Sequence, residues 1–202
     1  MMKKIQRYEG DENYGDISLH LGGYSEKKQT YRNVKLCIIA VISLCVLAAL
    51  ETTVLSRVPL LILPSASPSL CLLTVLASGY LLGEKEGGVC GLLGGLIMEC
   101  ANMEPIFGGI MVLPLVYALL GYTAGALSKK LLAGNLASFE VYALAGLFID
   151  HLVKLVLTMV RAGDISFGAY LLGGVLPNLI LSLTFAPLIY GAVKWMARSA
   201  DS

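Results

Sequence analysis

From Val34 to Trp195 the chain is almost continuously apolar, and short polar hinges divide it into about six stretches of membrane-spanning length. The first runs from about Val34 to Arg57. Pro59, Pro64 and Pro68 form a hinge, and Leu60 to Leu63 between them is expected at a membrane interface. The second runs from Ser69 to Gly83, followed by a charged turn at Glu84, Lys85 and Glu86. The third, Gly87 to Met103, ends at Glu104 and Pro105. The fourth is Gly108 to Ser128, closed by Lys129 and Lys130, with a loop through Gly134 and Asn135. The fifth is Phe139 to Val160, with a turn at Arg161, Gly163 and Asp164. The sixth, Phe167 to Trp195, is long and interrupted by Pro177 and Pro187. The second and third are short, and read as a tilted pair or a partly re-entrant hairpin. This pattern predicts an all-α integral membrane protein of about six transmembrane helices.

Composition agrees: 56% of residues are hydrophobic and 14% charged, against about 25% charged in soluble domains. Charge is concentrated at the start. Residues 1–33 form a charged tail, expected to be flexible and cytoplasmic, ahead of a polytopic domain over residues 34–198. The first apolar stretch starts too late for a cleaved signal peptide and reads as an uncleaved anchor. An even number of spans places both termini on one side. With that side cytoplasmic, Lys85, Lys129, Lys130, Lys194 and Arg198 join the basic tail inside, leaving Arg57 and Arg161 outside, as the positive-inside rule requires.

Gly83, Gly87, Gly91 and Gly95 recur every four residues, and Gly121 with Gly125 repeats the spacing. Small residues so spaced let helix backbones approach closely in lipid, where apolar burial supplies no drive. The ladder reads as packing within the bundle or as a docking surface for another membrane protein. Five ionisable residues fall inside spans: Glu51, Glu99, Asp150, His151 and Lys154. Such groups face a bundle interior or a wet cavity. They are expected to cluster beneath the outer surface, as a structural ion-pair network or as a ligand or proton site. Asp150 and Lys154 share a helix face. Pairing of Lys154 with Glu99 is also expected. Pro177, Asn178 and Pro187 mark a kinked helix, with Asn178, Ser182 and Thr184 available to the freed carbonyls. Tyr190, Lys194, Trp195 and Arg198 read as an interfacial anchor.

Catalytic signatures are absent: no nucleophile elbow, no HExxH pair and no phosphate-binding loop. The five cysteines (Cys37, Cys45, Cys71, Cys90, Cys100) lie in apolar stretches without a CxxC pair, and read as buried free thiols. With only His20 and His151, a histidine metal cluster is not expected. No catalytic, cofactor-binding or metal-ligating residue is assigned, and no nucleic-acid partner.

The third span, Gly87-Gly88-Val89-Cys90-Gly91-Leu92-Leu93-Gly94-Gly95-Leu96-Ile97-Met98-Glu99, and the last, Leu176-Pro177-Asn178 followed after eight residues by Pro187-Leu188, resemble the rod shape-determining protein MreD family. There the third span ends in Gly-Leu-x-x-Asp before a short loop rich in Gly and Pro. Here Glu99 takes the acidic place, and the loop is Glu104-Pro105-Ile106-Phe107-Gly108-Gly109. The resemblance covers about Val34 to Arg198. It implies a non-enzymatic scaffold in the bacterial plasma membrane that maintains rod shape. Its implied partners are an MreC-like bitopic protein, an MreB-like actin and the peptidoglycan synthases of the elongation complex, with a homodimer left open. It also implies a fold similar to the substrate-binding component of energy-coupling-factor vitamin transporters. Such a component is the alternative reading, to which the outer polar cluster would supply ligands. Against it, the first span lacks a small-xxx-small alanine face, since Leu44 follows Ala40 and Thr52 follows Ala48.

Overall fold

The structure, a computed structural model, describes residues 38–55, 68–102, 112–130, 135–162 and 167–201. All secondary structure among them is helical. Helix α1 covers Ile38–Thr53 and ends in a π-helical turn, Leu50–Leu55. Then come α2 (Leu70–Leu82), α3 (Glu84–Asn102), α4 (Leu113–Lys130) and α5 (Leu136–Ala162). A short α6 (Phe167–Tyr170) leads through a second π-helical turn, Leu171–Val175, into α7 (Leu176–Asp201). The tail, Cys37, Pro59, Pro64, Leu60 to Leu63, Glu104 to Gly109 and Gly163 with Asp164 lie outside the described residues.

Helix α2 is the hub. Its 13 residues are apolar all round, and every residue from Pro68 to Tyr80 is buried. A helix without a polar face has to be enclosed. Here α3, α4, α5 and α7 surround it, and Leu44 and Ala48 of α1 join the same core. Its buried hydroxyl at Thr74 is satisfied by donating to Leu70 O (2.9 Å). At ~20 Å long α2 falls short of a hydrocarbon core of ~30 Å.

Helices α2, α4 and α7 run one way, and α1, α3 and α5 the other. The contacts fix this: Ser69 meets Ser182 and Tyr80 meets Tyr190 in parallel order, whereas Glu84 lies against Gly125 and Gly95 against Pro114 in antiparallel order. The expected charged turn after α2 is one residue, Gly83 at φ 130°. That left-handed conformation suits glycine. Glu84 and Glu86 instead form the first turn of α3, where acidic groups favour the helix N-terminus.

Two helical stretches, Leu136–Val160 and Leu171–Ser199, are long and apolar enough to cross a membrane. Ile38–Thr53, α2 and Leu113–Ser128 are apolar but shorter.

Candidate functional site: the polar end of the bundle

The glycine ladder is consumed inside the molecule. A Cβ on Gly91 would lie 2.2 Å from Tyr117 O, one on Gly95 2.4 Å from Pro114 Cα, and one on Gly87 2.3 Å from Gly121 O. In return, a Cβ on Gly121 would lie 2.2 Å from Gly87 O and one on Gly125 2.3 Å from Glu84 N. Helices α3 and α4 therefore touch backbone to backbone along the stripe, with Gly79 of α2 against the same Gly121 carbonyl. Gly83 departs from the expected ladder, because it is the hinge rather than a packing position.

This close approach aligns the α2 and α4 N-termini at one end of the bundle. Each receives a carboxylate from a neighbouring helix. The Cys71 N–H donates to Glu51 Oε2 (3.0 Å), and the Leu113 N–H donates to Glu99 Oε2 (3.2 Å). Both glutamates are buried. The first amides of a helix have no intrahelical acceptor, and Ser69 gives α2 no side-chain cap. A carboxylate there satisfies the donor and the helix dipole together. The Ser69 N–H donates to Ser182 Oγ of α7 (3.0 Å). Ser182 is thus engaged with α2, and the Thr184 hydroxyl donates to Ile180 O (2.9 Å) rather than to a carbonyl freed by Pro187.

Helix α5 brings the remaining charges. Lys154 Nζ donates to Asp150 Oδ2 at 2.7 Å, one helical turn apart. Asp150 is fully buried and the Lys154 side chain is 29% exposed. Glu51 lies within electrostatic reach of both. Tyr117 of α4 is fully buried, with Asp150, Glu51 and Cys71 within electrostatic reach, as Lys154 and Asp150 are of Tyr170 on α6. The two π-helical turns flank this group: Glu51 lies within one, and Tyr170 immediately precedes the other. Such turns are frequent at functional sites.

Of the expected cluster, the structure gathers Glu51, Asp150 and Lys154. Glu99 instead accepts from the α4 N-terminus, and Lys154 pairs with Asp150. His151 is buried, and its Nε2 has no hydrogen-bond partner among the described residues. The same holds for Glu99 Oε1, Tyr117 OH and Asp150 Oδ1. Tyr117 is not among the residues expected there, and Ser182 is expected only to serve carbonyls freed by proline. Tyr117 carried a signal nonetheless, falling on the buried face of α4 with Leu113, Leu120 and Ala124 at helical spacing. Among the described residues, no three His, Cys, Asp or Glu side chains converge to hold a metal ion. Cys71 and Cys90 are buried, whereas Cys45 and Cys100 are exposed.

The expected kink takes another form. Pro177 lacks an N–H, and the ladder widens just before it, the Leu176 N–H donating to Leu171 O five residues back. Helix α7 then runs unbroken through Pro187. The expected anchor also divides. Tyr190 is buried against Phe139 and Tyr80, with ring centroids 5.2 and 6.3 Å away, and Lys194 Nζ lies 5.6 Å from the Tyr190 ring centroid. Trp195 is exposed.

In comparisons with known proteins, the chain matches no family model, no curated protein and no solved structure.

Proposed function

We propose that this chain is a non-enzymatic scaffold of the bacterial cell-wall elongation machinery, similar to the MreD family. Six helical segments cross the plasma membrane, with both termini in the cytoplasm. The shorter helices sit in a thinned or tilted arrangement around α2, which the surrounding helices shield from lipid. The protein acts by docking: it holds an MreC-like bitopic partner and peptidoglycan synthases through exposed faces of its outer helices, and so helps maintain rod shape.

The observation that carries this reading is the internal use of the chain's charged groups. Glu51 and Glu99 cap helices, and Lys154 pairs with Asp150. Groups committed in this way fix helix register rather than await a substrate. The glycine ladder likewise closes α3 on α4, leaving apolar surfaces such as Val141, Phe148 and Val156 on α5 and Ile180 and Leu188 on α7 for lipid or partner helices.

One observation favours the alternative, a substrate-binding component of an energy-coupling-factor vitamin transporter. Tyr117 OH and Asp150 Oδ1 are buried without a partner among the described residues. Affinity purification of the tagged chain from native membranes in mild detergent, with mass spectrometry, decides between the two. Recovery of MreC-like and synthase partners supports the scaffold. Recovery of a transmembrane coupling subunit with ATPases, or of a bound vitamin, overturns it.

A further inference from the structure

Helix α7 outruns the core at its C-terminal end. With the π-helical turn before it, the stretch Leu171–Ser199 is 29 residues long, about 43 Å against a hydrocarbon core of ~30 Å. Its last buried residues among those described are Tyr190 and Val193, and the helix continues to Asp201. The outward side of α7 carries one exposed stripe at three- and four-residue spacing: Ile180, Thr184, Leu188, Gly191 and Trp195. There the surface turns basic. Lys194 and Arg198, three and seven residues after Gly191, are both exposed on the same side. Nothing lies within 4 Å of a Cβ added at Gly191. The missing side chain therefore leaves a notch between Leu188 and Trp195, open to the outside.

The two cations are placed over that notch. Helical side chains lean toward the helix N-terminus, which on α7 is back toward the apolar stripe. Lys194 shows the lean, since its Nζ lies 5.6 Å from the ring centroid of Tyr190, one turn back. Arg198 starts one turn beyond Lys194. Like charges at that spacing repel, and among the described side chains neither is in an ion pair with an acidic group. An ammonium and a guanidinium fork held side by side complement a phosphate. Below them, Leu188, the Gly191 notch and the Trp195 indole offer an acyl chain an apolar path. A zwitterionic headgroup brings a cation of its own to this basic site, so a headgroup of net negative charge is favoured.

We propose that the exposed C-terminal face of α7, from Leu188 through Gly191 to Arg198, binds an anionic phospholipid by its phosphate. The inference rests on the membrane reading above, and not on the protein partners proposed with it.

The test uses the full chain in vesicles of equal parts phosphatidylglycerol and phosphatidylcholine, released gently and read by native mass spectrometry. A Lys or Arg near the membrane surface favours anionic lipid by about fivefold. Wild type is thus expected to retain phosphatidylglycerol over phosphatidylcholine by about twentyfold, from two such cations. Lys194→Gln with Arg198→Gln is expected to bring the ratio toward one, and Lys194→Arg to preserve it. Gly191→Leu keeps both cations but fills the notch, and is expected to lower retention of phosphatidylglycerol with an unchanged thermal midpoint. Lys85, exposed between Glu84 and Glu86 at the same end, is the control, and Lys85→Gln should leave the ratio as it is. Equal retention of the two lipids by wild type overturns the proposal. So does an unchanged ratio in the double variant, or full retention in Gly191→Leu. Binding of soluble glycerol phosphate as tight as that of the lipid overturns the lipid assignment. Recovery of the chain in the soluble fraction, before any lipid is added, overturns the membrane reading and the proposal with it. Loss of selectivity in a chain that fractionates with membranes overturns the proposal alone.

Discussion

At the residue scale, the buried charges separate by partner. Asp150 and Lys154 form one pair, and removing a single member strands the other in a low-dielectric interior. Lys154→Met is expected to cost about 3–5 kcal/mol. Adding Asp150→Asn should restore part of that loss, and a double-mutant cycle in chemical denaturation reads the coupling. Glu99→Gln should add independently to Lys154→Met, since Glu99 binds the Leu113 amide; strong coupling between them would contradict the observed pairing. The two capping glutamates make a second prediction. Glu51→Ala and Glu99→Ala should each cost about 1–3 kcal/mol, and Glu→Gln less, because the amide oxygen still accepts a backbone hydrogen bond. Thermal midpoints in detergent check the order. The sequence made these four residues visible as costly insertions among apolar neighbours. It did not make their partners visible, because an acceptor such as Glu51 finds its donor 20 residues away, on the N-terminus of another helix.

At the element scale, the α3–α4 contact is the least forgiving feature. Gly91→Leu and Gly95→Leu place a side chain where a neighbouring backbone already lies 2.2 and 2.4 Å from the added Cβ. The two helices would have to separate, and loss of the folded state in size-exclusion and thermal assays is the expected outcome. Gly173 provides the control: nothing lies within 4 Å of a Cβ added there. Gly173→Ala should be neutral, or stabilising by up to ~1 kcal/mol through reduced freedom of the unfolded chain. If Gly91→Leu and Gly173→Ala behaved alike, the packing role of the ladder would be refuted. Spacing four residues apart announced this contact in the sequence, since that period lines one helix face. Which helix it would meet was not announced. Gly83 shared the same period and became a hinge, because a register says nothing about where a helix begins.

At the scale of the whole molecule, alternating helix directions bring Glu51, Cys71, Glu99, Leu113 and Lys154 to one end, and the Tyr80, Phe139 and Tyr190 rings to the other. The proposed six-span topology, with a cytoplasmic C-terminal end, predicts that a green fluorescent protein fused after Ser202 fluoresces, while an alkaline phosphatase at the same place is inactive. The opposite pair of results would invert the orientation and move the polar end to the cytoplasmic leaflet.

The sequence alone determined the helical class, the approximate helix limits, the residues too polar for lipid and the glycines that permit close contact. All of these follow from local periodicity and from transfer costs that depend on a residue's own chemistry. Tertiary structure alone decided that the shortest apolar segment is the enclosed hub, and that Glu99 serves α4 rather than Lys154. It also placed Tyr117 among the buried charges and put the irregularity of the last helix in a π-helical turn ahead of Pro177. Each of these depends on which surfaces meet across distant parts of the chain. Burial and hydrogen-bond partners are properties of those meetings, and no single stretch of sequence contains them.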